Sequence, residues 1–336
     1  MVLHAFEDID DALAVTRSFL TPVDRTLWVK LAFVAFFIGG PGAGFNTFQY
    51  TFGDGTGGVS PGGPGPGPGS GIGPRTWLLV GAVVLAVFLL ALAFALVGAI
   101  MEFVFVESLR TQTVTIRRYW GRRWGQGLRL FGFRLIVGVF VFAFAALFAA
   151  PFVLSMLGVG GVGAGFEIAL FVLLVPLFLV LAVVAGLVNG FTTVFVVPVM
   201  VLEDCGVLDG WRRLWPSLTN QWQQYLAYAV AGFVLSLVGG IVVGIVTVVL
   251  ALLLLVPFGV LFAIGVGVLA VAEPLGIGLL VIVGVLYVLA IFVVAALAQV
   301  PVQTYLRYYA LLVLGDVDSD LDLIPDLRTN VREETA

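Results

Sequence analysis

Apolar residues in this chain do not alternate with polar ones or keep to one helical face; they run on unbroken. Four runs, 76–106, 131–157, 167–202 and 225–257, each exceed the ~20 residues that carry an α-helix across a bilayer. The stretch from Thr76 to Val106 holds one charge, Glu102, and that from Phe166 to Leu202 also one, Glu167. A fifth region, 258–310, is apolar but broken at Glu273-Pro274. It predicts a span over 276–302, preceded by an external hairpin or re-entrant segment at 258–272. A shorter stretch, Leu27 to Ile38, carries Lys30 near its start and reaches spanning length only with Gly39 to Phe45 added; the lysine can snorkel to the headgroups.

The pattern therefore predicts an all-α integral membrane helical bundle: six transmembrane helices arranged as three repeated hairpins, with amphipathic juxtamembrane helices. An amphipathic segment, 1–25, precedes a membrane domain, 26–310, and an acidic tail, 311–336, follows it. Within the membrane domain lies 41–74, with Pro61-Gly-Gly-Pro64-Gly-Pro66-Gly-Pro68-Gly at its centre. Proline removes backbone donors and glycine raises chain entropy, so this is expected to be an external flexible loop.

The repeat shows where the chain enters its spans. Ile116-Arg117-Arg118-Tyr119-Trp120 parallels Trp211-Arg212-Arg213-Leu214-Trp215, and Leu13 to Trp28 follows Leu208 to Trp222 more faintly. The ends of spans two and four also match, Glu102-Phe-Val-Phe-Val-Glu107 with Pro198-Val-Met-Val-Leu-Glu203. The units fall at about 8–106, 107–202 and 203–310. Internal repeats are frequent in membrane folds, including ones with a site at the repeat interface.

Leu208, Trp211, Trp215, Leu218, Trp222 and Tyr225 recur at three- and four-residue spacing, which draws one apolar stripe on a helix. Ile116, Trp120, Trp124 and Leu128 do the same, with Arg117, Arg118, Arg122, Arg123 and Arg129 mostly off the stripe. Tryptophan rings suit the interface and guanidiniums suit lipid phosphate. Arg117, Arg118, Arg122, Arg123, Arg212 and Arg213, with Trp120, Trp124, Trp211 and Trp215, are therefore the candidate headgroup contacts. They either anchor topology or bind anionic lipid or a partner.

Composition and charge set the solvent and the orientation. Hydrophobic residues make up 61% and charged residues 11%, against about 25% charged in a soluble domain. Lys30 is the only lysine, and acidic residues gather in 7–11 and 316–326, a halophile-like balance. With both ends inside, 15 of the 16 cations lie in cytoplasmic segments or span mouths and only Arg75 lies outside. The positive-inside rule then gives a multi-pass protein of the cell membrane with cytoplasmic N- and C-termini. A full extra span at 258–272 would reverse the tail and is rejected. No cleaved signal peptide is expected.

Little is left for chemistry. His4 is the only histidine and Cys205 the only cysteine, which leaves no histidine-based metal site or triad and no internal disulfide. No phosphate-binding loop, zinc motif or nucleophile–base pair occurs, so neither an enzyme nor a cofactor is expected, and nothing points to nucleic acid. Asp316-Val-Asp318-Ser-Asp320-Leu-Asp322 lacks the glycine and the twelfth-position glutamate of a calcium loop and is expected to be a solvated tail. Glu102, Asn189, Gln299 and Gln303 are the candidate intramembrane polar residues. Glu102 lies toward a span end, where a snorkelling role is favoured, and the amides more often join helices than bind solutes. Gly186-x-x-x-Gly190 and Gly240-x-x-x-Gly244 fit close helix packing. The leading function is a non-catalytic protein that organises the membrane or binds lipid or a partner; the alternative is a small-solute transporter or channel.

Val201-Leu-Glu203-Asp204-Cys205-Gly-Val-Leu-Asp209-Gly-Trp211-Arg212-Arg213 and Phe6-Glu-Asp8-Ile-Asp-Asp11-Ala-Leu13 resemble an uncharacterised haloarchaeal family of polytopic membrane proteins. More distantly, the repeat plan is similar to the membrane domain of some glycerophosphodiester phosphodiesterases. The catalytic domain of that second family is absent, so the resemblance implies a membrane fold and carries over no activity and no functional residue.

Overall fold

The computed structural model describes residues 4–52, 74–156 and 164–335. Every regular element among them is helical, as follows when a backbone in lipid has to satisfy its own hydrogen bonds. Helix α1 (His4–Leu20) precedes α2 (Arg25–Phe52), α3 (Pro74–Thr111) and α4 (Ile116–Met156). Helix α5 (Ala164–Phe191) passes through a π turn, Thr192–Val196, into α6 (Val197–Glu203). Then come α7 (Val207–Asn220), α8 (Trp222–Leu269), α9 (Glu273–Val317), a 3-10 turn (Ser319–Leu321) and α10 (Pro325–Thr335).

Five helical stretches are long and apolar enough to cross a membrane: Leu78–Thr111, Ile116–Pro151, Val172–Glu203, Trp222–Leu269 and Glu273–Val317. The chain is an all-α integral membrane bundle. Helix α2 runs on to Phe52 and takes residues 41–52 of the expected loop into helix, while 53–73 lie outside the described residues. Residue 167 is helical, but its side chain is not described.

The fold has two zones. At one end the helices pack into a dense layer built from Ala12, Val15 and Phe19 of α1, Leu31 and Val34 of α2, Ile100 to Val106 of α3, Phe195 to Val201, and Tyr308 to Leu314 of α9. Beyond it the helices continue as apolar arms. Leu85, Phe142, Leu173, Ile245, Leu253 and Val281 are each more than half exposed within the chain. In water, such surface would cost about 25 cal/mol per Å² left uncovered; in a bilayer, acyl chains cover it.

Three expectations are corrected. The segment 258–272 is neither a re-entrant loop nor a separate hairpin: α8 continues through Pro257 to Leu269, and α9 starts at Glu273 with proline in its first turn. That proline, which lacks only a donor the first turn would leave unused, starts a helix more readily than it breaks one. Gly276 lets the hairpin close, since a Cβ there would fall 2.4 Å from Leu269 Cα. Second, 116–129 is no separate interfacial helix but the first part of α4, which runs unbroken for 41 residues.

Third, the tail is not a solvated strand of acid. Residues up to Val317 belong to α9, and Leu321, Leu323, Ile324 and Val331 are buried. Arg332 reaches Asp8 at 3.1 Å and Asp11 at 3.1 Å, so α10 is fastened to α1 and the two ends of the chain meet on one side. Gly186, Gly190 and Gly240, expected in close packing, have nothing within 4 Å of a built Cβ. Close approach occurs instead at Gly127, where a Cβ would stand 2.9 Å from the Cα of Ile100.

Candidate functional site

The polar residues of the packed layer lie on helices whose apolar neighbours leave them no water, so each finds a partner across an interface. On α3, Glu102 and Glu107 are buried. Glu102 accepts from Arg307 of α9 in a very short contact, and from Arg134 of α4 at 3.4 Å. Arg307 also donates to the Thr193 carbonyl at 2.5 Å, and its guanidinium lies 5.9 Å from the Phe105 ring centre. Arg134 donates at 2.6 Å to the Thr193 hydroxyl, which itself donates to Asn189 O at 2.8 Å.

The π turn explains why Thr193 can serve both arginines. Val197 N–H reaches back five residues to Thr192 O. Such a widened turn takes carbonyls out of the regular ladder and is frequent at functional sites. On the far side of the same turn, Trp211 Nε1 donates to Thr192 Oγ1 at 3.0 Å, holding α7 against it.

A second cluster lies nearer the ends of α3 and α6. Arg123 donates to Glu107 at 2.8 Å, to Gln126 at 3.0 Å and to Asp204 at 3.3 Å. Gln126 bridges Met200 O and Asp204. Asp204 itself closes α6 in the left-handed region, with φ 54°. A third cluster joins the chain ends: Asp316 accepts from Arg328 at 2.8 Å and from Arg332, and Arg328 also pairs with Asp322. Burial, with Asp316 beside it, raises the Asp8 carboxyl to about 8.

Several candidate residues therefore change place. Arg123 is 3% exposed and bound to acids of the interior; it does not face headgroups. Glu102 is 2% exposed and does not snorkel. Arg213 pairs with Glu203 at 2.9 Å. Arg117, Arg118, Arg122 and Arg212 are exposed and make no ion pair among the described residues. Trp124 and Trp215 are exposed, whereas Trp120 and Trp211 are half-buried. Asn189 stands one helical turn from Thr193 and Gln303 one turn from Arg307, yet neither side chain bonds Glu102. Asn189 Oδ1 and Gln299 Oε1 are buried without a donor among the described residues.

Sequence reasoning missed Arg134, Thr193 and Arg307 as site members. A signal existed: an ionisable group set among apolar residues needs a counter-charge at its own depth, and Glu102, Arg134 and Arg307 are the charges deepest along their helices. No cluster of three or more metal-ligating side chains occurs among the described residues. Cys205 is half-buried, and burial, with Glu203 and Asp209 nearby, pushes its thiol pKa up, away from a reactive thiolate.

A family model described as a family of unknown function, DUF7544, matches residues 3–324. No curated protein and no solved structure matches the chain.

Proposed function

The chain belongs to the DUF7544 family of unknown function, and we propose that it is a non-catalytic membrane protein whose packed end faces the cytoplasm and gathers anionic lipid headgroups. One contrast carries this reading. The ionisable groups of the interior are taken up by each other, Glu102 by Arg307 and Arg134, Glu107 by Arg123. The outward guanidiniums of Arg117, Arg118, Arg122 and Arg212 have no acceptor among the described residues. Exposed Leu208, Trp215 and Trp222, spaced by sevens along α7 and its junction with α8, add an apolar side chain and two indole rings suited to the interface.

Orientation follows the same logic. The ends of the chain meet through Arg332, Asp8 and Asp11, which requires an even number of crossings. Five apolar helices and α2 make six, and the positive-inside rule puts the arginine-rich end in the cytoplasm. The three-hairpin repeat and the scarcity of lysine in a halophile-like composition fit this picture of a haloarchaeal cell-membrane protein.

To test it, wild type and an Arg117→Gln/Arg118→Gln/Arg122→Gln/Arg212→Gln variant are placed in nanodiscs of phosphatidylglycerol and phosphatidylcholine, and lipid enrichment around the protein is measured. Each surface arginine is worth about 1 kcal/mol toward anionic lipid, so enrichment of phosphatidylglycerol should fall several-fold in the variant. Equal enrichment in both proteins would remove the lipid role and leave a protein partner for that face.

A second reading, passage of a small solute, has one observation in its favour: the buried acceptors Asn189 Oδ1 and Gln299 Oε1 lack donors among the described residues, and such atoms in native proteins call for an explanation. Solute or water flux in proteoliposomes that is unchanged by Asn189→Leu and Gln299→Leu would dismiss it.

A further inference from the structure

We infer that Arg134, oriented by Thr193 and open on the surface beside the α4–α5 seam, holds the phosphodiester of a single membrane phospholipid. The inference rests on the preceding proposal only for the placing of the packed layer against the inner leaflet.

Charge is the first ground. Arg134 and Arg307 share one carboxylate, Glu102, and arginine does not give up its proton, so this deep cluster carries one positive charge in excess. Arg134 directs only Nη2 inward, to Glu102 and Thr193. Its side chain is 30% exposed, and Nε and Nη1 have no acceptor among the described residues. The free edge of the guanidinium is the part that binds a phosphate through two parallel hydrogen bonds.

Depth is the second. Arg134 is the last charge on α4, and residues 135–156 beyond it extend about 33 Å at ~1.5 Å per residue, close to the ~30 Å hydrocarbon core. The guanidinium therefore stands at the level of phosphates. Arg117 and Arg118 lie up to about 25 Å further back along the helix, on the cytoplasmic side of that level, where the preceding proposal places them.

Room is the third. Thr193 meets Arg134 at the inner end, and Phe178 stacks on Phe144 and Phe148 further out, with ring centres 6.4 Å apart. Between these contacts, Gly138 lies one turn outward from Arg134, and Gly190 and Gly186 lie one and two turns outward from Thr193. None has a neighbour within 4 Å of a built Cβ. The surface beside the α4–α5 seam is therefore open over about 15 Å from Arg134 to Phe144. Leu187, Ile136 and Val139 are exposed beside it, apolar neighbours for the glycerol and upper acyl chain of a lipid whose phosphate sits on Arg134.

The test uses the full-length protein in detergent, with bound lipid counted by native mass spectrometry. The probes are phosphatidylglycerol, phosphatidylcholine, a phosphate-free galactosyl diacylglycerol, and inorganic phosphate as competitor. Wild type should retain one phospholipid of either headgroup and not the galactolipid. Arg134→Gln should weaken retention about tenfold, the loss of one charge-assisted contact, and Arg134→Lys should restore part of it. Gly138→Leu should displace the lipid by crowding the open surface beside Arg134, and with open space around Gly138 it keeps the fold even if Arg134→Gln does not. The four-arginine variant should keep this one lipid while losing the surrounding anionic enrichment, which separates the two proposals. Retention unaltered by Arg134→Gln and Gly138→Leu, or equal retention of the galactolipid, overturns the inference. Millimolar phosphate that displaces the lipid and still binds Gly138→Leu overturns the lipid as occupant and leaves a free-anion site.

Discussion

Arg307 of α9 closes on Glu102 of α3 across 205 positions of sequence, and the pair is buried on both sides, with side-chain exposures of 6% and 3%. Taking two charges out of water is expensive, so such a pair survives only where further hydrogen bonds satisfy it. Here Thr193 and Arg134 supply them. The contact fastens the last long helix to α3, and Thr193 ties both to the π turn that follows α5.

Removing one partner should therefore cost far more than the pair itself contributes. Glu102→Ala is expected to destabilise the protein by about 3–5 kcal/mol, because it leaves buried Arg307 uncompensated, and Arg307→Ala should cost less, because Arg134 still pairs with Glu102. The double variant should lose less than the sum of the two. Thermal unfolding in detergent, followed by helical circular dichroism, reads both effects.

Neighbouring arginines on α4 should behave in opposite ways. Arg123→Gln removes the partner of buried Glu107 and should lower the melting point, by the same mechanism as at Glu102. Arg122→Gln touches an exposed side chain and should change stability by less than about 0.5 kcal/mol. The same melting curves decide, and indistinguishable losses would mean that Arg123 is not the interior residue.

Glycines of α4 divide in the same way. Gly127→Val should destabilise strongly, since its Cβ would meet Ile100 backbone at 2.9 Å. Gly121 has open space around it, and Gly121→Ala should stabilise by roughly 0.5–1 kcal/mol through helix propensity. Denaturation midpoints of the two variants against wild type test the α3–α4 register.

The clasp between the chain ends should weaken in alkali. Asp8 is buried beside Asp316 and Asp11, with Arg332 as its cation, and its carboxyl titrates at about 8 in the folded chain against 3.8 for the free group. The folded state thus holds a proton more tightly than the unfolded state. The stabilisation is complete below about pH 4 and is lost as pH rises through 8. Asp8→Asn keeps the uncharged form at every pH. It should match wild type below about pH 4 and become the more stable protein above it, with the gap widening by about 1.4 kcal/mol per pH unit up to about pH 8. Parallel melting curves that never separate would show that Asp8 is charged throughout.

Much of the architecture was legible in the residues. Runs such as 76–106 announce themselves because lipid leaves no other choice of structure, and the arginines of 110–134 mark one end of the molecule. The two ends of the last hairpin were not legible: Glu273-Pro274 looks like an interruption, whereas its proline is a helix start and Pro257 lies inside a helix. The site was read at the wrong depth. Tryptophan and arginine stripes on 116–129 and 208–222 suggested a surface, but which arginine turns inward depends on neighbours far along the chain. Arg122 and Arg123 are adjacent, and only the placing of Glu107 and Asp204 on other elements separates the exposed one from the buried one. The acidic tail misled for the same reason, since Arg328 and Arg332 fold back onto Asp316 and onto Asp8 of α1.

All these roles depend on the packed, arginine-rich end lying in the cytoplasm. Arg118 is exposed on the first turn of α4, so Arg118→Cys in a Cys205→Ser background, treated in intact cells with a membrane-impermeant maleimide, reports on that end directly. The account predicts no labelling until the cells are permeabilised, then full labelling; modification in intact cells would place this end outside and contradict it.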